Sequence, residues 1–317
     1  MLYTDFNFGK FFNKYDARHP YEIWMNSPNN SNSLEAFNLI EKILSEYQNI
    51  PIIQEKIKKL NTEILDLQTF YTFLTEIKVA NFLKKKFGVN FIPEKKNEPT
   101  PDLCININSE SIYVEINTRL KTLPYVLLLE NNLNILLKNL KISKFAKVKS
   151  NDFLPKAKIN KDNFQLIFKL CKERIINGWD DPILFKDNEL NLTVEVINGI
   201  SYSERINGNG LKTFEVYLHE SLDAKNGKNN LDKYHPNILW TEVLYQTDFQ
   251  LIEHDLINIF PSNICFLKSL DAQIITICSF NSDYGQIDEH NSYLILNESR
   301  KESIKVFELI NSIYSDF

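Results

Sequence analysis

The stretch of residues 101–117 constrains the fold of this chain more than any other, because both of its halves alternate between apolar and polar side chains. It reads PDLCININSESIYVEIN. Such alternation is typical of β-strands with one buried face, and the small polar residues in the middle are typical of a tight turn. The pattern predicts an antiparallel hairpin with an apolar core face made by Leu103, Ile105, Ile107, Ile112, Val114 and Ile116.

The opposite face of this hairpin is polar and carries two acids. If the turn consists of residues 108–109, or of residues 107–110, the pairing places Asp102 directly opposite Glu115, whereas an odd number of turn residues would separate them. The remaining members of this face are Cys104, Asn106, Tyr113 and Asn117. One interpretation of this face is the solvated outside of an edge hairpin, and the other is a chemical site.

The opposed acids favour the chemical interpretation. Residues directly opposite each other have Cβ atoms about 4.5–5.5 Å apart, and like charges at that spacing destabilise a sheet unless something compensates them. Two carboxylates placed in this way can share one hard cation, such as Mg²⁺ or Mn²⁺. The spacing therefore predicts a metal site formed by Asp102 and Glu115, with the backbone carbonyl of Ile116 as a candidate third ligand.

These residues also resemble a known sequence motif. Pro101-Asp102, followed by Glu115-Ile116-Asn117, is similar to the motif of the PD-(D/E)XK nuclease superfamily, which has the restriction-endonuclease-like fold. In that family the two acids bind a divalent metal, and a lysine two residues after the second acid positions and activates the attacking water. The resemblance implies these metal-binding roles for Asp102 and Glu115, and it implies an acid on the helix before the first strand, where Glu76 stands.

The chain departs from this motif at the lysine position, which is occupied by Asn117. Arg119 and Lys121 would lie on the same face of the strand as Asn117 if the strand continues. Either could then supply the missing positive charge. A guanidinium stabilises developing negative charge but does not act as a base. The candidate catalytic residues are Glu76, Asp102, Glu115, Asn117 and Arg119.

The composition of the chain narrows the classes of protein to which it could belong. The chain has 317 residues, of which 43% are hydrophobic, and its net charge of −5 argues against a protein that coats nucleic acid through bulk positive charge. Its four cysteines form no C-x-x-C pair, and its N-terminus has no continuous apolar run, so we expect a cytoplasmic protein without a membrane segment. Phosphate-binding glycine loops and the G-x-S-x-G motif are absent from the sequence.

Residues 52–87 contain no glycine or proline and form an apolar seam. Steps of four and three residues connect its members, which are Ile53, Ile57, Leu60, Ile64, Leu67, Tyr71 and Leu74. This spacing favours two helices that pack antiparallel within one domain, and an intermolecular coiled coil, hence a homodimer, is the alternative. The second of these helices would carry Glu76 at the border of its apolar face. A helix from about residue 33 to Pro51 would precede them.

A lysine-rich segment follows the motif. Residues 135–161 contain eight lysines and a single acid, Asp152, with Phe145 and Phe153 among them. This composition predicts contact with a nucleic-acid backbone, DNA more than RNA, although a solvated charged loop would have the same composition. The candidate contact residues are Lys141, Lys144, Lys147, Lys149, Lys156 and Lys158.

The resemblance and the coarse order of elements together predict an α/β (α+β) fold. Its core would be a restriction-endonuclease-like central mixed sheet flanked by helices, formed by residues 62–161 and 235–317. Residues 1–61 would form a helical N-terminal region, and residues 162–234 would be an insertion containing a helix and a hairpin.

The function that the resemblance implies is a Mg²⁺- or Mn²⁺-dependent endonuclease that hydrolyses the DNA backbone, with a restriction or other defence role by family analogy. One alternative is a nuclease-fold protein that has lost catalysis and binds nucleic acid or acts as a scaffold. Another is a protein-interaction module built on the long helices.

Overall fold

A computed structural model describes residues 31–62, 67–95, 98–107, 110–120, 124–150, 161–179, 181–186, 191–198, 233–234, 236–244, 274–278, 293–296 and 308. Three helices come first in the described chain. They are α1 (Ser31–Tyr47), α2 (Pro51–Thr62) and α3 (Leu67–Lys84). Proline at the first position of α2 suits a helix start, because that position needs no backbone donor.

The apolar seam is buried within this one chain. Its members on α2 and α3 with described side chains are all buried, namely Ile53, Ile57, Leu60, Tyr71 and Leu74. An ion pair between Lys56 of α2 and Glu76 of α3 joins the two helices directly. The two predicted helices are therefore confirmed, while their antiparallel packing and the alternative of a homodimer stay predictions.

An antiparallel meander follows the helices, made of β1 (Gly88–Phe91), β2 (Leu103–Ile107) and β3 (Glu110–Leu120). Ile107 pairs with Glu110 and Leu103 with Val114, so the predicted register is confirmed for these strands, and the predicted pair of Asp102 with Glu115 lies just beyond the end of the ladder. The apolar face is buried at Leu103, Ile105, Ile112, Val114 and Ile116, as the alternation predicts, and Ile107 is partly buried.

Three further strands extend the meander into a six-stranded mixed sheet. They are β7 (Asn237–Leu244), β8 (Ile274–Cys278) and β9 (Tyr293–Leu296). The strand order is β1-β2-β3-β7-β8-β9, in which β3, β7 and β8 are parallel and the others antiparallel to their neighbours. The helix α4 (Pro124–Asn139) begins with a proline, which suits the first helical position. The described chain thus has a mixed α/β fold with a mixed sheet and flanking helices.

A second, three-stranded sheet has the order β4-β6-β5. Its strands are β4 (Lys144–Ser150), β5 (Ile183–Lys186) and β6 (Asn191–Asn198), and the helix α5 (Lys161–Ile176) lies between β4 and β5 in sequence. The predicted helix and hairpin of residues 162–234 are both present. The strand β4, which belongs to residues 62–161, pairs with β6 of the predicted insertion, and the domain boundaries stay a prediction.

Parts of the predicted regions lie outside the described residues. The predicted N-terminal helical region is described from residue 31 onward, and the predicted core segment 235–317 is described at residues 236–244, 274–278, 293–296 and 308. In the ranges that the structure describes, no helix is both long enough and apolar enough to cross a membrane.

Candidate acidic site

The two faces of β3 have different surroundings. Ile116 pairs with Trp240 of β7, and the ring of Trp240 meets the ring of Phe82 on α3 with centroids 5.7 Å apart. Thr118 pairs in the same way with Glu242, whose carboxylate is bound by Lys78 of α3. The even-numbered face of β3 therefore packs on α3, and the odd-numbered face, which carries Glu115 and Asn117, lies on the opposite side.

This second face is buried too. Glu115 and Asn117 are only 2% and 3% exposed, so the solvated interpretation of the hairpin's polar face is wrong for these two residues. The parallel register adds Asn237 and Thr241 of β7 to the same face, and both are buried. Glu115, Asn117, Asn237 and Thr241 are called the buried polar face below. Buried polar groups of this kind demand hydrogen-bonding or ionic partners.

Asp102 lies at the end of the β2–β3 ladder and contacts the backbone on both sides of Glu115. The ladder ends where Leu103 pairs with Val114, one residue after Asp102. The backbone N–H of Asp102 donates to the carbonyl oxygen of Val114 over 3.1 Å, and the N–H of Ile116 donates to Asp102 Oδ2 over 2.7 Å. These two bonds hold the Asp102 carboxylate beside the segment that carries Glu115.

Glu76 is buried and paired with Lys56 of α2. Burial, together with the negative charge of Asp102, raises the pKa of Glu76 to about 7 against the opposing effect of Lys56. Burial alone would lower the pKa of Lys56, but the carboxylates of Glu76 and Asp102 outweigh it, so this pKa is raised. Glu76, Lys56 and Asp102 therefore form one electrostatic cluster.

The predicted acids do not form a single three-carboxylate group. Glu76 belongs to the α3 side of the sheet and Glu115 to the opposite side, with Asp102 at the strand end between them. Within the described ranges, no group of three or more His, Cys, Asp or Glu residues is arranged to hold a metal ion. The predicted set of Asp102, Glu115 and the Ile116 carbonyl has two carboxylates, and it stays a prediction.

Of the three residues predicted near the lysine position, only Asn117 has a described side chain. Asn117 is buried beside Glu115, whereas only the backbone of Arg119 is described, in register with Val243. Lys121 lies outside the described residues. The structure thus places a neutral amide at the lysine position, and the role predicted for Arg119 stays a prediction.

Sequence reasoning missed Lys56 as a member of the cluster. This residue lies next to the buried seam residue Ile57 on α2, which was the available signal that its side chain borders the core.

A second buried charge cluster was also missed. The carboxylate of Glu242 on β7 accepts hydrogen bonds from Lys78 Nζ and from Thr75 Oγ1, and all three residues are buried. The signal in the sequence was a charged residue inside the apolar strand NILWTEVL. This cluster ties α3 to the face of the sheet opposite the buried polar face.

The lysine-rich segment is partly a strand rather than a loop. Ala146 and Val148 of β4 are buried, and Lys147 lies on the other face of that strand, where it pairs in register with Glu195. Lys141 is exposed in the turn after α4, where its backbone has a φ of 58°. Lys144 begins β4 and Lys149 lies near its end, while Lys156 and Lys158 are outside the described residues.

Comparison with known proteins identifies no relatives: no family model matches the chain, and neither the curated proteins nor the solved structures contain a significant match. The chemistry of the acidic site therefore carries the functional argument.

Proposed function

We propose that this protein is a metal-dependent endonuclease of restriction-endonuclease-like fold that hydrolyses the phosphodiester backbone of DNA. The observation that carries the proposal is the attachment of Asp102 to the backbone on either side of the buried Glu115. The order of helix α3, strand β1 and hairpin β2–β3 supports it, because this is the context in which the family resemblance places the two acids.

The residues that would hold the metal are Asp102, Glu115 and the carbonyl of Ile116. All three offer hard oxygen ligands, which suit Mg²⁺ and Mn²⁺. The Ile116 amide engages Oδ2 of Asp102 and so fixes the orientation of that carboxylate. A bound ion would polarise the scissile phosphate and lower the pKa of a coordinated water.

Glu76 is the candidate proton acceptor. The charge of Asp102, a proposed metal ligand, acts on Glu76, so this carboxylate is near the proposed ion and could take a proton from its water. The ammonium of Lys56 holds the Glu76 carboxylate in place and balances one negative charge of the cluster. Asn117 would orient water or phosphate through its amide, and Arg119 would stabilise negative charge on the phosphate.

A second function is favoured by Asn117 itself. A neutral amide at the lysine position, together with the two-carboxylate set, fits a protein that binds nucleic acid without cutting it. Such a protein would lack metal-dependent cleavage and would bind DNA with a strong dependence on salt.

Measurements of DNA binding and cleavage on the same preparation separate the two functions. Supercoiled plasmid, single-stranded DNA and RNA would be incubated with Mg²⁺, Mn²⁺ or EDTA, and binding would be titrated at several salt concentrations. Cutting that requires the metal supports the nuclease. Salt-dependent binding without cutting under any metal favours the binding protein.

The lysine-rich segment can be tested in the same binding titration. Replacing both Lys141 and Lys144 with glutamine should reduce the slope of log affinity against log salt by about 0.9 for each phosphate that the protein no longer neutralises. Lys169→Gln on the exposed side of α5 is the control, since that lysine lies outside the segment.

A further inference from the structure

Thr241 lies on the buried polar face, directly beside Asn117. The parallel register of β3 and β7 pairs these two residues, and it places Glu115 one position further along the same face, diagonal to Thr241. The neighbours of Thr241 in β7 point to the other side, because Trp240 meets Phe82 and Glu242 meets Lys78 on α3. The hydroxyl of Thr241 therefore faces the Glu115 side of the sheet.

The side chain of Thr241 is fully buried, and its Oγ1 has no hydrogen-bond partner within the described part of the chain. A buried hydroxyl without a partner destabilises a fold, so most native structures satisfy each such group with protein, water or an ion. A small species bound on this face, where Glu115 and Asn117 also lie, would supply that partner.

Because the site is buried, its occupant must be small. The register places three oxygen-bearing side chains on this face, those of Glu115, Asn117 and Thr241, next to the apolar Leu239, and such oxygens are the ligands that a hard divalent cation prefers. Mg²⁺ in particular keeps several of its waters, so a hydroxyl can bind it through one of them.

We propose that Thr241 is a ligand of the divalent cation at Glu115, either directly or through one of the ion's waters, with Asn117 beside it on the same face. This inference rests on the proposed function, and it extends the binding site from β2 and β3 to β7. Thr241 then has the partner that its buried hydroxyl lacks among the described residues.

The chain offers a matched control in Thr118. Its hydroxyl is also buried and without a partner among the described residues, but it belongs to the α3 face of β3, where Gln68 Nε2 donates to the Thr118 carbonyl over 2.8 Å. Valine replaces threonine with nearly the same shape in both positions. The two substitutions remove equivalent hydroxyls from opposite faces of neighbouring strands.

The test is titration of the metal-free full-length protein with Mn²⁺, by calorimetry, in five forms: wild type, Thr241→Val, Thr241→Ser, Thr118→Val and Asp102→Asn. Thr241→Val should weaken Mn²⁺ binding about tenfold, as loss of a group that orients a metal typically does. Thr241→Ser keeps the hydroxyl and should restore affinity, and Thr118→Val should bind as the wild type does. Circular dichroism and thermal unfolding without metal should show both valine variants folded.

Wild-type affinity in Thr241→Val, an equal loss in Thr118→Val, or no Mn²⁺ binding by the wild type would overturn the inference. Plasmid cleavage by the same proteins tests the proposed function separately. Metal binding that depends on Thr241 without any cleavage keeps the inference and rejects the nuclease. Cleavage that depends on Asp102 with wild-type Mn²⁺ affinity in Thr241→Val keeps the nuclease and rejects the inference.

Discussion

The carboxylate of Asp102 accepts a 2.7 Å hydrogen bond from the backbone amide of Ile116, so a side chain takes the place of a backbone acceptor where the β2–β3 ladder ends. The same residue donates its own N–H to the carbonyl of Val114. Asp102 is therefore fixed against the strand that carries Glu115, and this relationship has consequences for both stability and chemistry.

Asp102→Ala should destabilise the protein by about 1–3 kcal/mol, because it leaves the buried amide of Ile116 without an acceptor. Asp102→Asn keeps an oxygen that can accept this bond and should be destabilised by less. Urea denaturation of the three proteins measures the difference. Equal losses in the two variants would show that the hydrogen bond contributes little and that the negative charge matters instead.

The pKa of Glu76 predicts how stability changes with pH. Because the folded-state pKa of about 7 lies above the ordinary value of 4.5, the folded protein binds this proton more tightly than the unfolded chain does. The contribution is fully present below about pH 4.5 and is lost as pH rises through about 7. Stability should therefore fall between these values, and Glu76→Gln should flatten that part of the curve.

Thermal unfolding of wild type and Glu76→Gln at a series of pH values from 4.5 to 8 would measure this effect. Glu98→Gln, at an exposed position, serves as the control and should follow the wild-type curve. Parallel curves for wild type and Glu76→Gln would contradict the assignment of the raised pKa to this residue.

The ion pair between Lys78 and Glu242 is buried on both sides, so breaking it should be costly. Glu242→Gln removes the carboxylate from this buried ion pair and should destabilise the protein by about 3–5 kcal/mol. Replacing both residues with apolar ones of similar size, Lys78→Met with Glu242→Leu, should recover most of that loss.

The exposed pair of Lys84 and Glu46, with a separation of 2.7 Å, is the internal comparison for this prediction. Its Glu46→Gln variant should change the free energy of unfolding by about 1 kcal/mol or less, because solvent screens exposed pairs. Denaturant midpoints of all these variants would be compared. Losses of similar size at Glu242 and Glu46 would contradict the buried character of the first pair.

The local features of the fold were predictable from the sequence because they depend on neighbouring residues. The alternation in residues 101–117 predicted the hairpin and its register, and the seam of residues 53–74 predicted two packed helices. Pro124 marked the start of α4 in the same way. In each case the pattern within one segment determines which side chains can be buried together.

The long-range features were not predictable in this way. Nothing near Lys56 indicates that its ammonium meets Glu76, because that contact depends on how α2 packs on α3. The pairing of β4 with β6, and of Asn117 with Thr241, likewise depends on strand order. The burial of Glu115 on the second face of β3 could not be predicted from the alternation in residues 101–117, because that pattern indicates only which face is apolar.

We propose that Asp102 and Glu115 together make a metal-dependent site for hydrolysis of DNA. The most direct test is cleavage of supercoiled plasmid with Mg²⁺ or Mn²⁺ by wild type, Asp102→Asn and Glu115→Gln, with Glu173→Gln on the exposed side of α5 as the control. We expect metal-dependent cutting by wild type and by the control, and a loss of at least about 100-fold in both site variants, since each removes a charged metal ligand. Absence of cutting by the wild type with either metal, or cutting by Asp102→Asn and Glu115→Gln at the wild-type rate, would rule out this site.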